Sequence, residues 1–254
     1  MLFRNRRRQK LAARSFPDEW LAILEGNVPL YTRLPEADRE ELKRHMLVFL
    51  AEKRFEGCGG LEITDEIRVT VAAHACLLLL HRKTDYYPGL ACVLVYPDAF
   101  VVPDVHHFVG DMVLESDDVR LGESWHHGSV VLSWADVRED AEARDGQNVA
   151  LHEFAHQLDS SGGRGDSTPV LRDQESFDAW AQALGEDFYR FRRAVQRKRP
   201  EVLDEYGATD PAEFFAVATE SFFETPGKLR QVYPRLYEEL RKFYQQDPAS
   251  LEQA

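Results

Sequence analysis

The segment Asn148-Val149-Ala150-Leu151-His152-Glu153-Phe154-Ala155-His156-Gln157-Leu158 holds the residue types best suited to chemistry. Four residues advance an α-helix by about 400°, so the imidazoles of His152 and His156 lie about 40° apart, one turn up the same face. Both can then reach one tetrahedral zinc ion at roughly 2.0–2.1 Å. Glu153 lies about 100° round the helix from His152. It is badly placed to share the metal and well placed to act as general base on a water in the open coordination position. The flanking residues are mostly apolar. A buried helix that carries two histidines and a glutamate needs a reason, because burying such groups without partners is costly.

Catalytic zinc takes three protein ligands and leaves one position for water. The extended pattern HExxHxxGxxH does not supply the third, since Asp159 stands at its glycine position and Gly162 at its last histidine. The best source is Tyr206-Gly207-Ala208-Thr209-Asp210-Pro211-Ala212-Glu213-Phe214-Phe215. Asp210 and Pro211 read as N-cap and first residue of a helix, with Glu213 in its first turn. Glu213 is then either a ligand or the closing member of a capping box with Asp210. Glu220, seven residues on and nearly on the same face, is the rival ligand. Asp159 is a weaker rival, or a group that orients a ligand imidazole.

These residues must be held by a scaffold. Helices are expected at 17–25 and 35–54, and again from about 65, where Asp65 is a candidate cap. Short β-prone runs follow at Ala91–Tyr96, Phe100–Val102, Met112–Leu114 and Ser129–Trp134, separated by Pro, Gly and Asp clusters. Helices are expected again near 146–158, 174–198, 211–224 and 228–246. Strands grouped between helices argue for a helix-rich α+β fold whose small sheet is mostly antiparallel. The division expected is a basic tail over 1–15 and a single domain over 16–254. That domain is helical over 16–85, has its sheet over 90–135, and carries the site and C-terminal helices over 146–246. Ser129–Trp134 is either a plain core strand or an edge that takes an extended peptide by strand addition.

Composition limits the partners. The 254 residues carry 31 Lys+Arg against 44 Asp+Glu, a net charge of −13. Such a surface repels nucleic acid and anionic membranes, so neither is expected to be bound. No secretory leader or membrane span is read, because Pro17, Asp18 and Glu19 interrupt the start and no apolar run is long enough. Cys58, Cys76 and Cys92 are an odd, scattered set and fit a reducing cytoplasm. The pairs His106-His107 and His126-His127 read as loop or surface residues, since strand neighbours face opposite ways.

Several segments without chemistry carry a resemblance. They are Leu30-Tyr31-Thr32-Arg33-Leu34-Pro35, Phe55 to Leu61, Val93-Leu94-Val95-Tyr96-Pro97, Leu132 to Val137, Asn148 to Asp159 and Asp210 to Phe223. With the His-Glu-x-x-His motif they resemble the Mlc titration factor A zinc peptidases, whose catalytic region is related to the lethal-factor type of protease. The resemblance implies a zincin-like fold, one zinc per chain and a ligand set of His152, His156 and a downstream helical glutamate. It also implies cleavage of peptide substrates, often of aminopeptidase type, and in some members a partner, the glucose-responsive repressor Mlc. The related pattern places a tyrosine seven residues before the glutamate ligand. Tyr206 precedes Glu213 by seven, which favours Glu213. Tyr206 is then the candidate donor to an oxyanion. Val217 stands where related enzymes often place a second carboxylate, so support for the ligands must come from elsewhere.

Overall fold

A computed structural model describes residues 2–98, 104–109, 112–115, 128–143, 145–160 and 174–252. The expected strand at Phe100–Val102 and the pair His126-His127 lie outside the described residues; His106 and His107 fall within a strand. Within the span expected as one domain, packing draws a boundary near residue 142. Residues 1–80 and 84–142 form one compact unit, and residues 81–83 and 143–254 another.

The first unit begins with helices α1 (Leu2–Ala12), α2 (Asp18–Asn27), α3 (Pro29–Arg33) and α4 (Glu36–Glu52). The basic start, expected as a free tail, is the helix α1. Its Arg8 donates to the Glu52 carboxylate at 2.6 Å and to the main-chain oxygen of Asp85 at 3.1 Å, which draws the helix onto α4. Strand β1 (Arg54–Gly57), helix α5 (Asp65–Leu77) and strand β2 (Cys92–Tyr96) follow. Thr64, one residue before the expected cap, accepts the Ile67 N–H and starts α5. From Ile67 to Leu77 that helix is almost wholly buried, with Arg68 the exception.

Strand β2 pairs with β1 on one side and with β5 (Ser129–Ser133) on the other, and both pairings are parallel. This corrects the expectation of a mostly antiparallel sheet. The α5 crossover between β1 and β2 carries the chain back to the same end, and parallel neighbours require such a connection. Among the described residues, only β3 (Asp104–Val109) and β4 (Met112–Glu115) pair antiparallel, in a separate two-stranded ribbon. Among the described residues, strand β5 is an edge of the three-stranded sheet, and it buries Val130 and Leu132. It ends at Ser133, and Trp134 opens helix α6 (Trp134–Ala143). Cys76 and Cys92 are buried, Cys58 is half-buried, and all three are free thiols.

The second unit is helical: α7 (Val149–Ser160), α8 (Gln174–Gln196), a 3-10 turn (Glu205–Ala208), α9 (Pro211–Glu224), α10 (Pro226–Val232), α11 (Pro234–Tyr244) and α12 (Pro248–Leu251). The long helix expected over 228–246 is two, because Pro234 opens α11 and cannot continue α10. Helix α9 is the core of this unit. It buries every residue from Glu213 to Phe223 and packs on α7, α8, α10, α11 and the 3-10 turn. An aromatic cluster of Trp180, Phe215 and Phe243, with ring centroids 5.2–5.8 Å apart, closes one side. Among the described residues no helix is long and apolar enough to cross a membrane.

Candidate metal centre

Helix α7 starts where the sequence gives it a cap. The Asn148 side-chain oxygen accepts the Leu151 N–H at 3.0 Å, satisfying one of the free donors of the first turn. Ala150, Leu151, Phe154, Ala155 and Leu158 fix the helix by burial. That leaves His152 9% exposed, with His156 and Glu153 half-buried. Helix α9 starts at Asp210, whose Oδ1 accepts the N–H groups of Ala212 and Glu213. The cap is therefore provided by Asp210, and the Glu213 carboxylate meets the two histidines instead.

Three atoms from these helices converge. His152 Nε2 is 3.0 Å from Glu213 Oε2 and 3.1 Å from His156 Nε2. His156 Nε2 is 3.4 Å from the same Glu213 oxygen. In a regular tetrahedron the ligand–ligand edge is about 1.63 times the bond, so zinc bonds of about 2.0–2.1 Å require edges of about 3.3–3.4 Å. The observed triangle is slightly tighter than that and of the right shape. Two imidazole nitrogens and a carboxylate oxygen are also a donor set that zinc accepts. Among the described residues, these three form the group able to hold a metal ion.

The other candidates fall into different places. Glu220 faces the opposite nitrogen of the same ring, its Oε1 lying 2.7 Å from His152 Nδ1. Asp159 is buried on α7 but outside the triangle. Glu153 makes no hydrogen bond or ion pair among the described residues, and its charge acts on His152 through space. The Tyr206 ring centroid is 6.1 Å from that of His152, with the rings tilted by 38°. Tyr206 is brought there by the 3-10 turn, in which its own N–H donates to Asp204 Oδ1 at 2.8 Å. Gly207 lets the turn lie against α9, because a Cβ there would sit 3.3 Å from Val217 Cβ and 3.4 Å from the Phe214 backbone. Asn148 and Glu224 were not picked out from the sequence. The available signal was an Asn standing just before an apolar helical run.

The electrostatics favour a cation at the triangle. With Nδ1–H given to Glu220, a neutral His152 presents an Nε2 lone pair to a carboxylate oxygen. Two acceptors at 3.0 Å are stable only with a proton or a metal ion between them. Burial opposes a charge on His152, yet the bonds to Glu213 and Glu220 and the charges of Glu220 and Glu153 push its pKa well above the ordinary value. Burial also opposes the Glu213 carboxylate, and here His152 and His156 win, holding it well below the usual carboxylate range. Burial dominates at Glu220 and pushes its pKa up in spite of His152 and the Asn148 N–H.

Comparison with known proteins agrees with the resemblance read from the sequence. The family model described as glucose-regulated metallo-peptidase M90 matches residues 2–245. An uncharacterised protein of Synechocystis is 40% identical over 244 residues, covering 95% of this chain and 89% of its own. Proteins called Mlc titration factor A from Klebsiella pneumoniae and Escherichia coli are 33% and 32% identical over 224 and 225 residues, in each case 87% of this chain and 84% of theirs.

Proposed function

This chain belongs to the M90 family of glucose-regulated metallo-peptidases, and from that premise we propose that it is a cytoplasmic, zincin-like zinc peptidase of aminopeptidase type. The observation that carries the reading is the triangle of His152 Nε2, His156 Nε2 and Glu213 Oε2, with edges of 3.0, 3.1 and 3.4 Å. These three residues would hold one zinc per chain. When bound, the ion supplies a Lewis acid that polarises a scissile carbonyl and makes a water acidic enough to attack near neutral pH.

The chain's own residues do the rest. Glu153 takes a proton from the attacking water and passes it to the departing amine. Among the described residues no side-chain hydrogen bond or ion pair engages the Glu153 carboxylate, which suits a group that must accept a proton from water. Tyr206 donates its O–H to the substrate oxygen as negative charge gathers there. Removing one such donor costs about 10²–10³ in turnover elsewhere, so Tyr206→Phe is expected to lose that much kcat while keeping its zinc. A wild-type kcat in Tyr206→Phe would reduce the tyrosine to packing.

The reading as a whole is tested by elemental analysis and by hydrolysis of an amino-acid anilide. The purified chain is expected to carry about one zinc, to lose turnover on chelation, and to recover it when zinc is restored. Full turnover in a metal-free preparation would overturn the metallopeptidase mechanism. A second reading comes from the relatives named Mlc titration factor A. On that reading the chain docks a repressor of the Mlc type, and the zinc site is secondary. Glu153 favours catalysis, since a purely structural zinc site has no use for an unliganded carboxylate beside the metal.

A further inference from the structure

The site contains one buried carboxylate that the mechanism does not use. Glu220 is 5% exposed and lies seven residues after Glu213 on α9. It meets two nitrogens. Its Oε1 lies 2.7 Å from His152 Nδ1, and its Oε2 accepts the main-chain N–H of Asn148 at 2.6 Å. Asn148 is fixed in turn. Its Oδ1 caps α7 through Leu151, and its Nδ2 donates to Glu224 Oε1 at 2.9 Å, at the last residue of α9. One carboxylate thus bridges the start of the helix that carries both histidines and the face of the helix that carries Glu213.

The chemistry of this bridge is selective. The Asn148 N–H is a donor, and His152 Nδ1 is one whenever Nε2 is left free for a metal, so the group between them must then accept on both oxygens. A carboxylate does so, whereas an amide of the same shape has one acceptor and one donor. Glutamine at position 220 would set its N–H against the Asn148 N–H or, turned over, would offer that N–H to His152 Nδ1 and favour the tautomer whose proton sits on Nε2, the nitrogen that faces the triangle. The main-chain N–H of Asn148 cannot change its role, and it fixes the direction of the whole array.

We propose that Glu220 is a positioning residue for the metal centre: anchored by the Asn148 main chain, it fixes His152 in the Nδ1–H tautomer and aims Nε2 at the ligand triangle. The inference rests on the reading of His152, His156 and Glu213 as metal ligands. A partner of this kind orients the ring and raises the basicity of the ligating nitrogen. Glu220 supplies, about one turn beyond Val217 on the same helix, the supporting carboxylate that Val217 cannot provide.

The test uses the full chain and zinc itself. Zinc affinity is measured by competition with a chromogenic chelator for wild type and Glu220→Gln, together with the thermal midpoint of each zinc-free protein. Glu220→Gln is expected to bind zinc about 10–100-fold more weakly. A zinc affinity within about threefold of wild type would overturn the proposal, even with a lowered midpoint, because a merely structural carboxylate would act on the midpoint alone. Should Glu220→Gln fail to fold, nitrogen-15 spectra of the His152 ring in the zinc-loaded wild type decide the matter. Protonated Nδ1 with metal on Nε2 supports the proposal, and metal on Nδ1 overturns it. A wild type that takes up no zinc would instead overturn the metal reading on which the proposal rests.

Discussion

Glu153→Gln is expected to lower anilide turnover by about 10²–10⁴ while the zinc content stays at wild type, since that is the range general acid–base groups contribute. The substitution keeps the shape of the side chain and removes only its ability to accept a proton. Glu153 is half-buried and makes no hydrogen bond or ion pair among the described residues, so little structure depends on its charge. The three atoms proposed to hold the zinc belong to other residues and should remain in place. Steady-state kinetics and elemental analysis on one preparation check both halves of the expectation. Wild-type turnover in Glu153→Gln would remove the general base, and a parallel loss of zinc would mean that the carboxylate serves the metal instead.

Glu213→Ala is expected to release the zinc and reduce turnover to background. The change leaves two ligands where a catalytic zinc site needs three. The loss of affinity should exceed the roughly 10–100-fold that follows when a group outside the ligand set is altered. The helix itself should survive, because Asp210 and not Glu213 caps α9. Circular dichroism of the zinc-free variant should therefore match the zinc-free wild type, and chelator competition should show the affinity lost. Zinc held at wild-type strength by Glu213→Ala would place the third ligand elsewhere.

His152, Glu153 and His156 were legible because their spacing is a local property of one helix turn. The third member of the triangle was not legible in that way. Glu213 comes from a separate helix, and no periodicity links it to α7; the tyrosine spacing borrowed from related proteins singled it out. Spacing could not separate it from Glu220 either, because seven residues return a helix to nearly the same face. The two glutamates differ in which nitrogen of one imidazole each one meets, and only the packing of α9 against α7 decides that. The helix-rich α+β character was readable from the grouping of strand-like runs. Strand β1 was not: it is four residues long, and Arg54 and Glu56 alternate with Phe55 and Gly57 directly after a helix. With β1 unread, the remaining runs between turn residues look like hairpins, and the parallel order of the sheet is hidden.

That parallel order has a consequence for how the first unit assembles. The register joins Arg54 to Cys92 and Cys92 to Ser129, so each pairing closes a loop of roughly forty residues. A hairpin closes two to five residues and can form within microseconds on its own. Here each ladder must overcome about (3/2)RT ln n of chain entropy before its first hydrogen bond forms. The sheet is therefore expected to consolidate late, after α5 has docked on its neighbouring helices, and refolding of this unit should be limited by long-range strand pairing rather than by helix formation.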